Sequence, residues 1–159
     1  MKGIKHIRID DRLIHGQVAG LWTNNLKANR IMVINDPIAA DEVQKNLLRM
    51  VAPPTVRTSI IARDTAVANI SNGKYHGQNV FIVVKSPEDV LYLLNNGLNI
   101  KEVNLGNISS RENTEKIKAG INVTASERAA LKELLAKGVR ITTIRTPSDP
   151  VVELTVSEL

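Results

Sequence analysis

Asp10-Asp11-Arg12-Leu13-Ile14-His15-Gly16-Gln17-Val18 is the stretch around which the chain is organised. It follows Ile4-Lys5-His6-Ile7-Arg8-Ile9, an alternating apolar run that reads as a strand. It leads into Val18, Leu21, Trp22 and Leu26, which repeat as one face of a helix. A first strand therefore ends in two acids and an arginine, and a histidine opens the helix that follows. Open α/β sheets bind ligands beyond the carboxyl ends of their strands, so these groups fall where such folds do their work.

The remaining chain repeats the strand-then-helix pattern. Residues 30–35 form an apolar run suited to a buried parallel strand. Asp36-Pro37 reads as N-cap and first turn of a helix with Val43, Leu47, Leu48 and Val51 on one face, ended by Pro53-Pro54. Residues 56–62 read as a third strand, with Asp64 capping a short helix through Ile70. Residues 79–84 form a central strand, and Ser86-Pro87-Glu88-Asp89 starts a helix that Gly97 closes. A fifth strand spans 101–105. Residues 116–123 suit two short strands or one bent one. Thr124 and Glu127 form a capping box for a helix through Lys137, residues 139–144 form the last strand, and the tail suits a short helix. The expected fold class is α/β: a mostly parallel open sheet of about six or seven strands with helices on both faces, in one domain over residues 1–159.

Composition narrows the chemistry. There is no cysteine, which excludes thiolate nucleophiles, disulfides and Cys-bound metals. The three histidines do not sit at metal-ligand spacing, so no metal and no cofactor is expected. No Gly-rich phosphate loop is present. The net charge of +5 is spread out, and aromatics for base stacking make up only 3% of the chain, so nucleic acid is not the expected partner. No secretion signal or membrane-length apolar run is visible, and a cytoplasmic protein without membrane insertion is expected.

The residues of the first strand end suit phosphoryl transfer. Free N–H groups and a positive dipole at a helix start favour a neutral imidazole and an incoming phosphate. Arg12 supplies a forked donor for phosphate oxygens. Asp10 or Asp11 can accept from the ring nitrogen that does not react and so fix the tautomer of His15. Asn35-Asp36, Lys85-Ser86 and Gly106-Asn107 reach the same rim from other strand ends, with Arg63 and Thr146 at the flanks. Plainer readings stand beside this one. His15 can be a helix cap, and Arg12 with its acids can be a surface ion pair worth under about 1 kcal/mol. Trp22 reads as core, His76 as exposed, and His6 as facing solvent or a helix.

The run from Arg8 to Val18 resembles the signature of the IIB components of the bacterial phosphoenolpyruvate-dependent sugar phosphotransferase system, in the mannose/fructose/sorbose family that also takes N-acetylgalactosamine. Asn35-Asp36, Ala52-Pro53-Pro54, Val84-Lys85-Ser86-Pro87-Glu88-Asp89, Val103-Asn104-Leu105-Gly106-Asn107 and Thr146-Pro147 extend the likeness over almost the whole chain. The resemblance implies that His15 takes a phosphoryl group on Nδ1 from the phosphohistidine of a IIA component, itself charged by HPr. It implies that His15 then gives the group to a hexose or N-acetylhexosamine entering through the IIC and IID membrane proteins. Arg12 falls on the phosphate-stabilising arginine and Asp10 on the carboxylate near the histidine. Asp11, Gly16, Gln17, Asn35, Asp36, Lys85 and Asn107 are the candidate binding residues, and Lys85, Arg63 and Arg111 the candidate rim for an acidic donor surface. The missing cysteine agrees, since other IIB families use a phosphocysteine. The chain would sit in the cytoplasm at its membrane transporter, and a homo-oligomer is compatible with this reading. Most sugar choice would lie with the membrane components; N-acetylgalactosamine is favoured on general likeness over mannose, fructose and sorbose. The alternatives are a non-catalytic anion- or nucleotide-binding α/β module and a nucleic-acid-associated protein.

Overall fold

A computed structural model describes all of residues 1–159. β1 (Ile4–Asp10) lies inside a six-stranded sheet. Its companions are β2 (Arg30–Ile34), β3 (Arg57–Ile61), β4 (Val80–Val84), β5 (Glu102–Asn107) and, after two short strands, β8 (Arg140–Thr142). The order is β3-β2-β4-β1-β5-β8 and every pairing is parallel. The expected α/β class is found. Residues 116–123 resolve into β6 (Glu115–Lys118) and β7 (Ile121–Val123), an antiparallel pair outside the main sheet.

Helices cover both faces, as crossovers between parallel strands require. On one face lie a π-helical turn (Val18–Trp22), α1 (Thr23–Leu26) and α2 (Asp36–Ala39), packed on Ile31, Val33, Phe81 and Val83. On the other lie α4 (Arg63–Ser71), α5 (Pro87–Asn95) and α6 (Ala125–Ala136), packed on Ile7, Ile9, Ile82, Val84 and Leu105. β4 is buried throughout, which explains its unbroken apolar run. The tail runs back along β8, Thr142 bridging Glu153, and so covers that sheet edge. It ends in a 3-10 turn, Val156–Glu158. No helix is long and apolar enough to cross a membrane.

Two expected helices differ in ways that matter for the site. Past His15 the helix carries an extra residue in its turn. The N–H and hydroxyl of Thr23 both reach back five residues to the carbonyl of Val18, the hydroxyl at 2.7 Å. This shifts the inward face to Val18, Trp22 and Thr23 and leaves Leu21 51% exposed. The helix expected after Asp36 breaks in two. Asn35, not Asp36, caps α2, and Asp41 caps a separate α3 (Glu42–Val51). α2 places Ile38 on the sheet, and α3 turns away. Of the four residues expected on one face, only Leu48 packs partly on the core. Val43, Leu47 and Val51 are 70%, 56% and 49% exposed, and Met50 beside them is 81% exposed. Asp64 is likewise inside α4 rather than its cap, since Ala62 holds that place.

Candidate functional site

β1 feeds helices on one face, and its neighbour β4 feeds α5 on the other. A crevice therefore opens between their carboxyl ends, at the topological switch point of the sheet. Asp10, the last residue of β1, is completely buried there. The chain then turns sharply, with the Leu13 N–H donating to the Asp10 carbonyl at 3.0 Å. Leu13 takes a left-handed backbone (φ 59°), which costs a residue with a branched side chain of order 1 kcal/mol. Burial of Leu13 and Ile14 under the first helix holds this turn in place. The turn folds His15 back over Asp10, and the helical path begins at Gly16.

The Asp10 carboxylate is the hub. His15 Nε2 lies 2.9 Å from Oδ2. Oδ1 accepts from the Arg12 backbone N–H at 3.1 Å and from Arg12 Nε at 3.3 Å, while Arg12 Nη2 reaches Oδ2 at 3.4 Å. Burial alone would raise the Asp10 pKa. Hydrogen bonds from His15 and Arg12 and the charge of Arg8 reverse that and hold it at about 2. Asp10 is thus a carboxylate at any ordinary pH and can only accept, so Nε2 of His15 must donate. The proton then sits on Nε2, and the Nδ1 lone pair is free. The His15 side chain is 18% exposed and that of Arg12 is 46% exposed, so both reach the surface. Arg12 bonds Asp10 through its backbone N–H, Nε and Nη2 only, which leaves both N–H groups of Nη1 open.

The other candidate residues fall into three groups. Asp11, the first residue beyond β1, turns away from Asp10 toward the end of β5. It accepts from Asn107 Nδ2 at 2.9 Å and the Ser109 N–H at 2.8 Å, tying the first loop to the end of β5. Asn35, Lys85, Arg111 and Asp11 line a polar cavity of about 270 Å³ together with Ser86, Asp89 and Glu127. Arg111 there is bound to Glu127 at 2.5 Å. Asp36 instead accepts from the Arg63 N–H at 2.8 Å, and Arg63 packs on the Tyr92 ring. Gly16 and Gln17 form the start of the helix, and Asp149 ties the Thr146 N–H into a turn at 2.9 Å. A second cavity, about 220 Å³, joins Arg12, Lys85 and Asp11 to Gln44 and Leu47 of α3, so the exposed stripe of α3 begins at the site.

Sequence reasoning gave no role to Arg8. Arg8 is fully buried and donates to Asp10 Oδ2 through Nε at 3.2 Å and Nη2 at 3.0 Å. Its spacing from Asp10 was the available signal, since residues two apart in a strand share a face. His6, two residues earlier on that face, stacks on Trp22 with ring centroids 4.9 Å apart, so it faces the helix.

A parallel sheet whose switch point holds a partly exposed histidine pinned by a buried carboxylate, with an arginine beside it, defines an α/β protein with a candidate anion site. The family model described as "PTS system sorbose subfamily IIB component" matches residues 4–156, and the chain belongs to this family of phosphotransferases of sugar transport. It is 35% identical over 147 residues to the sorbose-specific EIIB component of Klebsiella pneumoniae, covering 92% of this chain and 90% of that one. It is 36% identical over 147 residues to the mannose-specific EIIAB component of Escherichia coli K12, covering 92% of this chain but 46% of the relative, about half its length. The crystal structure of the IIBSor domain of the Klebsiella sorbose permease superposes with a TM-score of 0.91 at 34% identity, covering 99% of this chain and 96% of that one.

Proposed function

We propose that His15 relays a phosphoryl group: its Nδ1 takes the group from the phosphohistidine of a IIA component and passes it to a sugar entering through the IIC and IID membrane proteins. In the first step the Nδ1 lone pair attacks phosphorus in line, the P–N bond of the donor breaks, and the donor imidazole recovers its electron pair. In the second step a sugar hydroxyl oxygen attacks, the P–Nδ1 bond breaks, and the hydroxyl proton is released. Arg12 meets the equatorial oxygens of the transferring group, where charge stabilisation and positioning supply most of the catalysis. Asp10 stabilises the positive character that the ring acquires when phosphorus bonds to Nδ1, and so keeps the bond labile toward the next acceptor. No metal and no cofactor enters this scheme.

The observation that carries the reading is the 2.9 Å contact between His15 Nε2 and a buried, ionised Asp10, because it leaves Nδ1 as the nucleophile. The exposed apolar stripe of α3, continuous with Arg12 through the smaller cavity, supports docking of the donor protein on this side. Lys85 is the proposed rim cation, and Asn35, Asp36, Asn107, Asp11, Gly16 and Gln17 are proposed to shape the acceptor side. Hexoses and N-acetylhexosamines are the proposed sugars. The relatives named for sorbose and for mannose match this chain almost equally well, which supports sugar choice in the membrane components. The chain would then work in the cytoplasm against its membrane partners.

Incubation with phosphoenolpyruvate, enzyme I, HPr and the cognate IIA tests this. Intact mass should rise by one phosphoryl group, labile in acid and stable in base, and His15→Ala should gain none. A His15→Ala variant that is still charged, or no gain from a demonstrably phosphorylated IIA, would contradict the relay.

A further inference from the structure

Arg8 is a charged side chain sealed inside the sheet, and its surroundings are built to hold it in one pose. Nη1 donates to the Asn104 side-chain oxygen at 2.6 Å. Asn104 is itself held in place, its amide donating to the Ile144 carbonyl at 2.9 Å and to the Thr142 hydroxyl at 3.2 Å. The guanidinium lies 5.2 Å from the centre of the Trp22 ring, and Trp22 is anchored by its own N–H to the Arg145 carbonyl at 2.9 Å. The space for Arg8 is cut into β5. The register with β1 slips between Leu105, opposite Ile9, and Asn107, opposite Asp10, so Gly106 is the extra residue of a bulge. A side chain at Gly106 would begin 2.1 Å from the Arg8 guanidinium carbon. A bulge, a glycine, an amide and an indole thus converge on one arginine whose remaining donors point at Asp10 Oδ2, the oxygen that receives His15 Nε2.

We propose that Arg8 is a positioning residue for His15: the buried guanidinium, seated by Gly106, Asn104 and Trp22, fixes the rotamer and charge of Asp10 and through it the Nε2–H tautomer of the ring. Arg12 cannot do this alone, because its side chain is half exposed and must be free to follow a moving phosphoryl group. Arg8 never meets substrate. It supplies the fixed half of the pair, and Arg12 the mobile half.

The test reads the tautomer directly and rests on the proposed relay only in its second arm. Nitrogen-15 chemical shifts of the His15 ring are recorded at alkaline pH in the unphosphorylated protein. Wild type should show a single form protonated on Nε2. Gly106→Ala keeps both charges and displaces the guanidinium. Arg8→Lys keeps the cation and removes the fork. Each should give a mixture of tautomers and slow transfer from phosphorylated IIA by at least about tenfold, the size of effect seen when the partners that orient a reacting imidazole are lost. Folded Gly106→Ala or Arg8→Lys protein with an unmixed Nε2–H ring would overturn the proposal even if transfer slowed. Should neither variant fold, wild type decides: the Arg8 Nε–H resonance should exchange slowly with water, and a fast-exchanging one would overturn it. If His15 is never phosphorylated but the tautomer depends on Arg8, the relay fails and the positioning role stands.

Discussion

At the scale of single residues, the two arginines around Asp10 should separate cleanly on substitution. Arg12→Ala removes a half-exposed partner and should cost under about 1 kcal/mol of stability, while transfer falls by about a hundredfold or more with loss of the phosphate donor. Asp10→Asn leaves Arg8 as a buried charge without a counter-ion and should cost about 3–5 kcal/mol, with transfer falling as well. Urea denaturation and rates of phosphoryl incorporation check both; equal stability losses in the two variants would contradict the division of labour. Asp10, Arg12 and His15 were legible because they lie within six positions where a strand ends and a helix begins. Arg8 was not. β1 is buried on both faces from Ile7 to Asp10, so alternation there no longer separates inside from outside. Asp11 was legible as a polar strand-end residue, but its attachment to Asn107 and Ser109 depends on β5 being the neighbour of β1, which no local pattern reveals.

At the scale of elements, the informative departures are the π turn and α3. The hydrophobic period of the first helix predicts Leu21 inside, yet one inserted residue rotates it out and brings Thr23 in. A period of 3.6 residues cannot anticipate this, because the signal is a threonine whose hydroxyl adds a second donor to its own N–H at the Val18 carbonyl. Thr23→Val should therefore cost about 1 kcal/mol, measured by chemical denaturation, for loss of that bond in a buried site. For α3 the pattern was right about amphipathicity and silent on what the apolar face meets. Its Asp41 cap and the break at Ala40 detach it from α2, and the stripe of Val43, Leu47 and Met50 stays exposed, the face proposed above for docking the donor. Met50→Asp and Leu47→Asp should raise the KM for phosphorylated IIA about tenfold or more and leave the melting temperature and phosphorylation by a small phosphoramidate unchanged. Loss of the small-donor reaction would place these residues in the chemistry rather than in docking.

At the scale of the whole molecule, the parallel sheet followed from the strand–helix alternation, while the order β3-β2-β4-β1-β5-β8 and the separate β6–β7 hairpin rest on long-range contacts that local patterns do not encode. The assembled fold also sets an acid limit. Burial against Trp22 and Phe81 lowers the His6 pKa from 6.5 to about 4; the charge of Glu102 opposes this and that of Arg8 adds to it. The unfolded chain therefore binds a proton that the folded one refuses, and stability should fall by about 3 kcal/mol as pH drops from 6.5 to 4. Asp10 adds a second loss of about 2 kcal/mol between pH 3.8 and 2, since its depressed pKa stabilises the fold only while it is ionised. Denaturation midpoints across pH check this, and His6→Phe should flatten the upper limb alone. The central claim, that His15 works through Nδ1 because Asp10 holds Nε2, is tested most directly by nitrogen–phosphorus coupling in uniformly nitrogen-15-labelled protein after charging by IIA. The account predicts phosphorus coupled to Nδ1 of His15, with the Nε2 proton still present. Coupling to Nε2, or phosphorus on any other side chain, would contradict it.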